Sequence, residues 1–205
     1  MNCTGEGNRE RICREYNIKA VGCIVLFGGR KVISDAGSRV ITDKYYKFFC
    51  THKRDGHHEF IQCGYPTAKH ICELCGIEIP TEFNPFIGGD NRGGDVGGIG
   101  GGLGRPWNRG RRQLYTAIML FITAKDAKLA PNTAIFKVKE RVEKNVYSNV
   151  EIRDVKAMNT ILGSYHTTLS SIIADLTPYG NVRQYNFNIL FNIIEQEGIA
   201  PNNYT

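Results

Sequence analysis

Hydrophobic and polar positions change period twice along the chain. Residues 1–87 read as β structure after one short helical turn at residues 10–16. Ala20 to Phe27 is an apolar run of strand length, stopped by Gly28-Gly29. Lys31-Val32-Ile33 supplies a short partner, and Asp35-Ala36-Gly37-Ser38 a turn. Arg39 to His52 is then rich in Val, Ile, Thr, Tyr and Phe, the residues that fit a pleated surface. Asp55-Gly56 is a two-residue type I′ hairpin signal, and His58 to Gln62 returns. This zone is expected to be an antiparallel meander.

Residues 113–205 switch to helical period. Leu114 to Leu129 is apolar on nearly all sides, as a buried central helix requires. After Pro131-Asn132-Thr133, an apolar stripe of Ile135, Val138, Val142 and Val146 runs through charged neighbours. Ser148-Asn149-Val150-Glu151 has the spacing of a capping box. Val155, Met158, Leu162, Tyr165, Leu169, Ile172 and Leu176 then recur at spacings of three and four, which predicts one long seam helix. Pro178 to Asn181 is a turn, and Val182 to Glu197 a last helix stopped by Gly198. Four helices joined by short loops predict a bundle. The end of the chain can also be cut as a helix-turn-helix, with Arg183, Gln184, Asn186 and Asn188 facing a groove. Two antiparallel bundle helices are the preferred reading.

Between these zones, glycine takes over. Of the 23 glycines, ten fall within residues 88–104, and neither helix nor strand tolerates that density. The expected class is therefore α+β in three parts: a β-rich module at 1–87, a glycine-rich arm at 88–112 and a helical bundle at 113–205.

Composition narrows the function classes. With 26 Lys and Arg against 20 Asp and Glu, the net charge is +6, compatible with an anionic partner but no proof of one. The longest apolar run, Tyr115 to Ala124, is half the about 20 residues of a membrane span. Met1 to Tyr16 is polar, without the apolar stretch of a secretion signal. An odd cysteine count of seven then argues for a reducing, intracellular location (cytoplasm or nucleus).

Residues 50–75 concentrate soft ligands, with four of the cysteines and four of the five histidines. Cys72-Glu73-Leu74-Cys75-Gly76 carries a C-x2-C pair followed by glycine, a spacing that lets two thiolates reach one zinc. With Asp55-Gly56 as a two-residue loop, Cys50 faces Ile61 and Phe48 faces Cys63, which makes Cys50 and Cys63 diagonal neighbours. Cys50, His52, His57, Glu59 and Cys63 then share one face. The expected ligands of a structural Zn2+ are Cys50, Cys63, Cys72 and Cys75, with His52 and His70 as substitutes. Locally the run resembles zinc ribbons and zinc knuckles, which implies a metal site and no particular function. A catalytic zinc would need a base, for which Glu59 is placed. No hydrolase or nuclease motif accompanies it.

The segment 88–112 holds five arginines against two aspartates. Arg105, Arg109, Arg111 and Arg112 crowd around Trp107, the sole tryptophan. Arginine forks grip phosphates and an indole stacks on bases, and Arg92-Gly93-Gly94 with Arg109-Gly110-Arg111 resembles RGG-type RNA-binding segments. The sequence thus points to a non-enzymatic, zinc-stabilised protein that binds nucleic acid, DNA or RNA. The runner-up is an assembly subunit, of a viral particle for example, whose arm contacts other copies in a homo-oligomer. A zinc hydrolase or nuclease is third.

Overall fold

The computed structural model describes residues 1–87, 106–125 and 133–205. Among these are seven α helices, a four-stranded sheet and a two-stranded ribbon. Backbone contacts divide the chain into two units, Met1–Asn84 and a second whose described residues run from Pro85 to Thr205.

The first unit opens with helix α1 (Glu6–Glu15), which passes directly into strand β1 (Tyr16–Val25). The ribbon strands β2 (Val32–Ile33) and β3 (Val40–Ile41) follow, then β4 (Lys44–His52) and β5 (His58–Cys63). Helix α2 (Tyr65–Cys75) and the short strand β6 (Glu82–Phe83) complete it. The sheet order is β5-β4-β1-β6, antiparallel except for the β1–β6 pair. This departs from a plain meander, because β6 arrives parallel to β1 after the α2 crossover.

One face of this sheet forms the core. Tyr16, Cys23, Tyr46, Phe48, Cys50, Ile61 and Cys63 meet Ile12 of α1 and Ala68, Ile71 and Cys72 of α2. Residues directly opposite in an antiparallel pair share a face, and Phe48↔Ile61 and Tyr46↔Cys63 do so here. On α2 the residues Ala68, Ile71, Cys72 and Cys75 fall at i, i+3, i+4 and i+7, the period of one helix face. The C-x2-C spacing is therefore a helix core stripe and not a metal turn. Gly76, at φ 63°, ends the helix in the left-handed region. The Ile77 N–H donates to the Cys72 carbonyl at 3.0 Å and the Gly76 N–H to that of Glu73 at 3.4 Å, a Schellman closure. The glycine that suggested a turn under zinc is a helix stop.

The second unit holds five helices: α3 (Arg109–Lys125), α4 (Ala134–Lys144), α5 (Ile152–Ser164), α6 (Leu169–Leu176) and α7 (Asn188–Gln196). Leu114, Ala117, Ile118, Leu120 and Phe121 of α3 are fully buried, and α3 packs against each of the other four. The last stretch of the expected central helix, 126–129, lies outside the described residues. The expected long seam helix is two. It breaks after Ser164, where His166 takes φ 49° and Thr168 starts α6 by accepting the Ser171 N–H at 3.2 Å. Tyr165, expected in the seam, is left 56% exposed. Ser148 does not cap α5, which begins after Glu151 without a side-chain cap. The last helix begins at Asn188 instead of Val182, because Val182 bridges to Phe86 in extended form. Arg183, Gln184 and Asn186 precede that helix, so the helix-turn-helix cut does not describe this end of the chain.

Candidate metal centre

The β4–β5 hairpin turns through four residues, Lys53-Arg54-Asp55-Gly56, and not two. A type I′ turn needs positive φ at both central residues, and of the Asp55-Gly56 pair only Gly56, at 73°, has it. The His52 N–H donates to the His57 carbonyl at 2.9 Å, and the Gly56 N–H to the His52 carbonyl at 3.0 Å. The loop is pinned from the other side by Lys53, whose Nζ donates to the Cys13 and Arg14 carbonyls at 3.2 and 2.8 Å, at the end of α1.

Two more loop residues move the register by two. Cys50 pairs with Glu59, and Cys63 with Tyr46. The shift preserves parity, so Cys50, His52, His57, Glu59 and Cys63 do share a face. Cys50 and Cys63 are no longer neighbours, because the Phe48–Ile61 pair now stands between them. Cys75, expected among the zinc ligands, is bonded to Cys13 in a disulfide that ties α2 to α1. Cys50, Cys63 and Cys72 are free, buried thiols. Burial pushes Cys50 up to about 12 and raises Cys63 and Cys72 as well. His70 Nδ1 accepts from Arg9 Nε at 2.6 Å.

The new register instead sets His52 opposite His57 at the loop end of the hairpin. Their rings stack at 4.7 Å. Asp55 Oδ1 lies 2.8 Å from His52 Nδ1 and 2.7 Å from His57 Nδ1, and accepts the His57 N–H at 3.1 Å. Among the described residues, this is the one group of three or more histidine, cysteine or acidic side chains whose ligand atoms lie within 4.8 Å of one another. His52 is half-buried; Asp55 and His57 are exposed. The other ring nitrogen of His57, Nε2, lies 3.2 Å from Glu59 Oε1 and 3.1 Å from the Tyr16 hydroxyl. That hydroxyl in turn donates to Glu59 Oε1 at 2.9 Å. The Tyr16 ring meets both imidazoles edge-on, at 4.9 and 5.6 Å.

Electrostatics follow this geometry. The His57 N–H and the two imidazoles hold the Asp55 carboxyl well below the usual carboxylate range. Hydrogen bonds to Asp55 and Glu59 raise His57 above the ordinary imidazole value. Burial works to raise Glu59, but the Tyr16 and His57 hydrogen bonds outweigh it and lower the carboxyl. Burial, then Glu59, raises the Tyr16 phenol.

Asp55 and His57 were missing from the expected ligand set. Their signal was the H-x2-D-x-H spacing from His52 to His57, which becomes a cluster only once the loop is known to be four residues long.

The arginine-rich segment is likewise redistributed. Arg105 lies outside the described residues. Trp107 is half-buried, its ring edge-on to Tyr115 at 5.2 Å. Arg109 and Arg112 lie in the first turn of α3, exposed and half-buried respectively, so the expected arm already ends in helix. Arg111 is 3% exposed and committed to carbonyl oxygens: Nε donates to Ser148 at 2.9 Å and Nη1 to Arg141 at 2.9 Å. It cannot at the same time grip a phosphate.

No family model, curated protein or solved structure matches the chain. The class therefore rests on fold and site: a mixed α+β protein with a His-Asp-His group able to hold a metal ion on an exposed hairpin. Among the described residues no helix is long and apolar enough to cross a membrane.

Proposed function

We propose that this chain is a metal-binding protein whose β4–β5 hairpin holds a divalent transition ion, zinc first, through His52, Asp55 and His57. The carrying observation is the convergence of two imidazole nitrogens on one carboxylate oxygen, with Glu59 and Tyr16 behind His57. Two imidazoles and a carboxylate suit zinc and its first-row neighbours. Metal-ligating histidines characteristically donate their second N–H to a carboxylate, which fixes tautomer and ring orientation. Glu59 stands where that role requires. Three protein ligands leave a position for water, where a bound ion supplies Lewis-acid chemistry. The hairpin gives no support to the nucleic-acid role expected from Arg105, Trp107, Arg109, Arg111 and Arg112.

Calorimetric titration of the chelator-stripped chain with zinc tests this reading. One ion per chain is expected, lost in Asp55→Asn and His57→Ala. Glu59→Gln weakens binding by about 10–100-fold, and Cys50→Ala leaves it unchanged. Absence of stoichiometric binding overturns the proposal. So does zinc that survives His57→Ala and leaves with Cys72→Ser, which would restore the cysteine set.

A further inference from the structure

The second unit carries an open cavity of about 700 Å³ beside the start of α7. Its lining includes the aromatic residues Tyr185, Phe187 and Phe191 and the carboxamide residues Gln184, Asn186 and Asn188, beside Ser170 and Thr205. No charged side chain lines it. The Tyr185 and Phe187 rings lie 25° from parallel, 6.2 Å apart, and the Tyr185 hydroxyl is tied to the Pro85 carbonyl at 3.4 Å. Asn186 Oδ1 accepts the Asn188 N–H at 2.9 Å, which holds that carboxamide at the mouth of the helix with its NH2 group still able to donate. The Gln184 side chain is exposed and without a hydrogen-bond partner among the described residues.

This combination selects a ligand by chemistry. A carboxamide presents a donor and an acceptor side by side, the complement of a heterocycle edge. An aromatic wall takes a flat ring by stacking. A lining without a cationic side chain does not neutralise a phosphate. We propose that this cavity seats an uncharged nucleobase, free or as a nucleoside. A carbohydrate also uses aromatic rings and amides, but it stacks through C–H groups instead of a π face, and the sugar arms of the test separate the two. The inference is independent of the metal reading, since it involves other residues in the other unit.

The test is a nuclear magnetic resonance titration of the full chain with adenosine, cytidine or uridine to about 5 mM, enough to reveal millimolar binding. Glucose and N-acetylglucosamine run in parallel. Saturable shifts confined to the cavity residues are expected from nucleosides. Gln184→Ala should weaken binding by at least about fivefold through the lost edge contact, and Tyr185→Leu by a similar factor through lost stacking. Gln184 is exposed and partnerless, so its variant keeps the fold, checked by circular dichroism. Cavity signals that ignore every nucleoside overturn the proposal, as do shifts produced by the sugars in their place, or unchanged affinity in Gln184→Ala.

Discussion

Arg111 separates a structural reading from a phosphate-contact reading in one experiment. Its guanidinium crosses from α3 to the end of α4, where Nη1 donates to the Arg141 and Val142 carbonyls at 2.9 and 3.4 Å. Those are two of the last four carbonyls of an 11-residue helix, which have no partner within it. Nε donates to the Ser148 and Asn149 carbonyls at 2.9 and 3.2 Å, and Nη2 lies 3.6 Å from Glu151. Arg111→Met keeps the apolar stem and removes every donor. A buried carbonyl left unpaired costs about 1–3 kcal/mol. With two short bonds lost, two long ones, and some carbonyls recovered by water, the expected loss is about 3–5 kcal/mol. Arg111→Lys should fall between, because one ammonium cannot span both pairs of carbonyls. The assay is urea unfolding followed by fluorescence of Trp107, the sole tryptophan, in the same unit. Since total stability is about 5–15 kcal/mol, the methionine variant can fail to fold, and the lysine variant then carries the test. A lysine variant within about 0.5 kcal/mol of wild type refutes the argument. A phosphate-contact arginine would instead leave stability alone and lower only affinity for a polyanion.

Two further outcomes concern the first unit. Reducing the Cys13–Cys75 disulfide, or replacing both cysteines with serine, should cost about 2–4 kcal/mol in unfolding experiments, since the bond closes a long loop at a sequence separation of 62; an unchanged midpoint with dithiothreitol would contradict this. Burial pushes the Cys3 and Cys23 thiols up to about 11 and Cys50 up to about 12, so their protons are held more tightly folded than unfolded; that stability is complete below about pH 8.5, the free thiol value, and is lost as pH rises through 11–12. Unfolding midpoints should decline from pH 8 toward pH 11, less steeply in Cys50→Ala, and a flat profile would count against it.

The parts of the fold legible in the sequence are those set by period. The runs around Ala20, Tyr45 and Phe60 alternate or saturate as strands do, and the all-apolar stretch from Leu114 predicts a buried helix, which α3 is through Phe121. The rest is hidden by residues whose spacing satisfies two geometries. Cys72 and Cys75 at i, i+3 fit a zinc turn and one face of a helix equally, and the following glycine fits both. The run from Val155 to Leu176 keeps a heptad seam even though the chain breaks at His166. Here the Thr168 cap and the left-handed residue decide, and neither alters hydrophobic period. Arg111 and Arg109 are two residues apart in a basic run, yet one is buried and the other exposed. Charge counting cannot separate them. The packing of α3 on α4 does.

The metal reading shows how far one turn residue reaches. As half of a tight two-residue hairpin turn, Asp55 would have no side-chain chemistry. With four loop residues, Asp55 stays at negative φ and its carboxylate is free to accept from both imidazoles and from the loop backbone. The same change slides β5 by two positions, which separates Cys50 from Cys63 and sets His52 opposite His57. Because the slide is even, no side chain changes face: a one-residue slip would have carried His57, Glu59 and Cys63 together to the face opposite Cys50 and His52. On that shared face the cysteines lie in the apolar core, where burial keeps them protonated, and the histidines lie at the rim beside the loop, within reach of solvent ions. A ligand must give up its proton or offer a lone pair to bind, and the rim imidazoles meet that condition at far lower cost than the buried thiols.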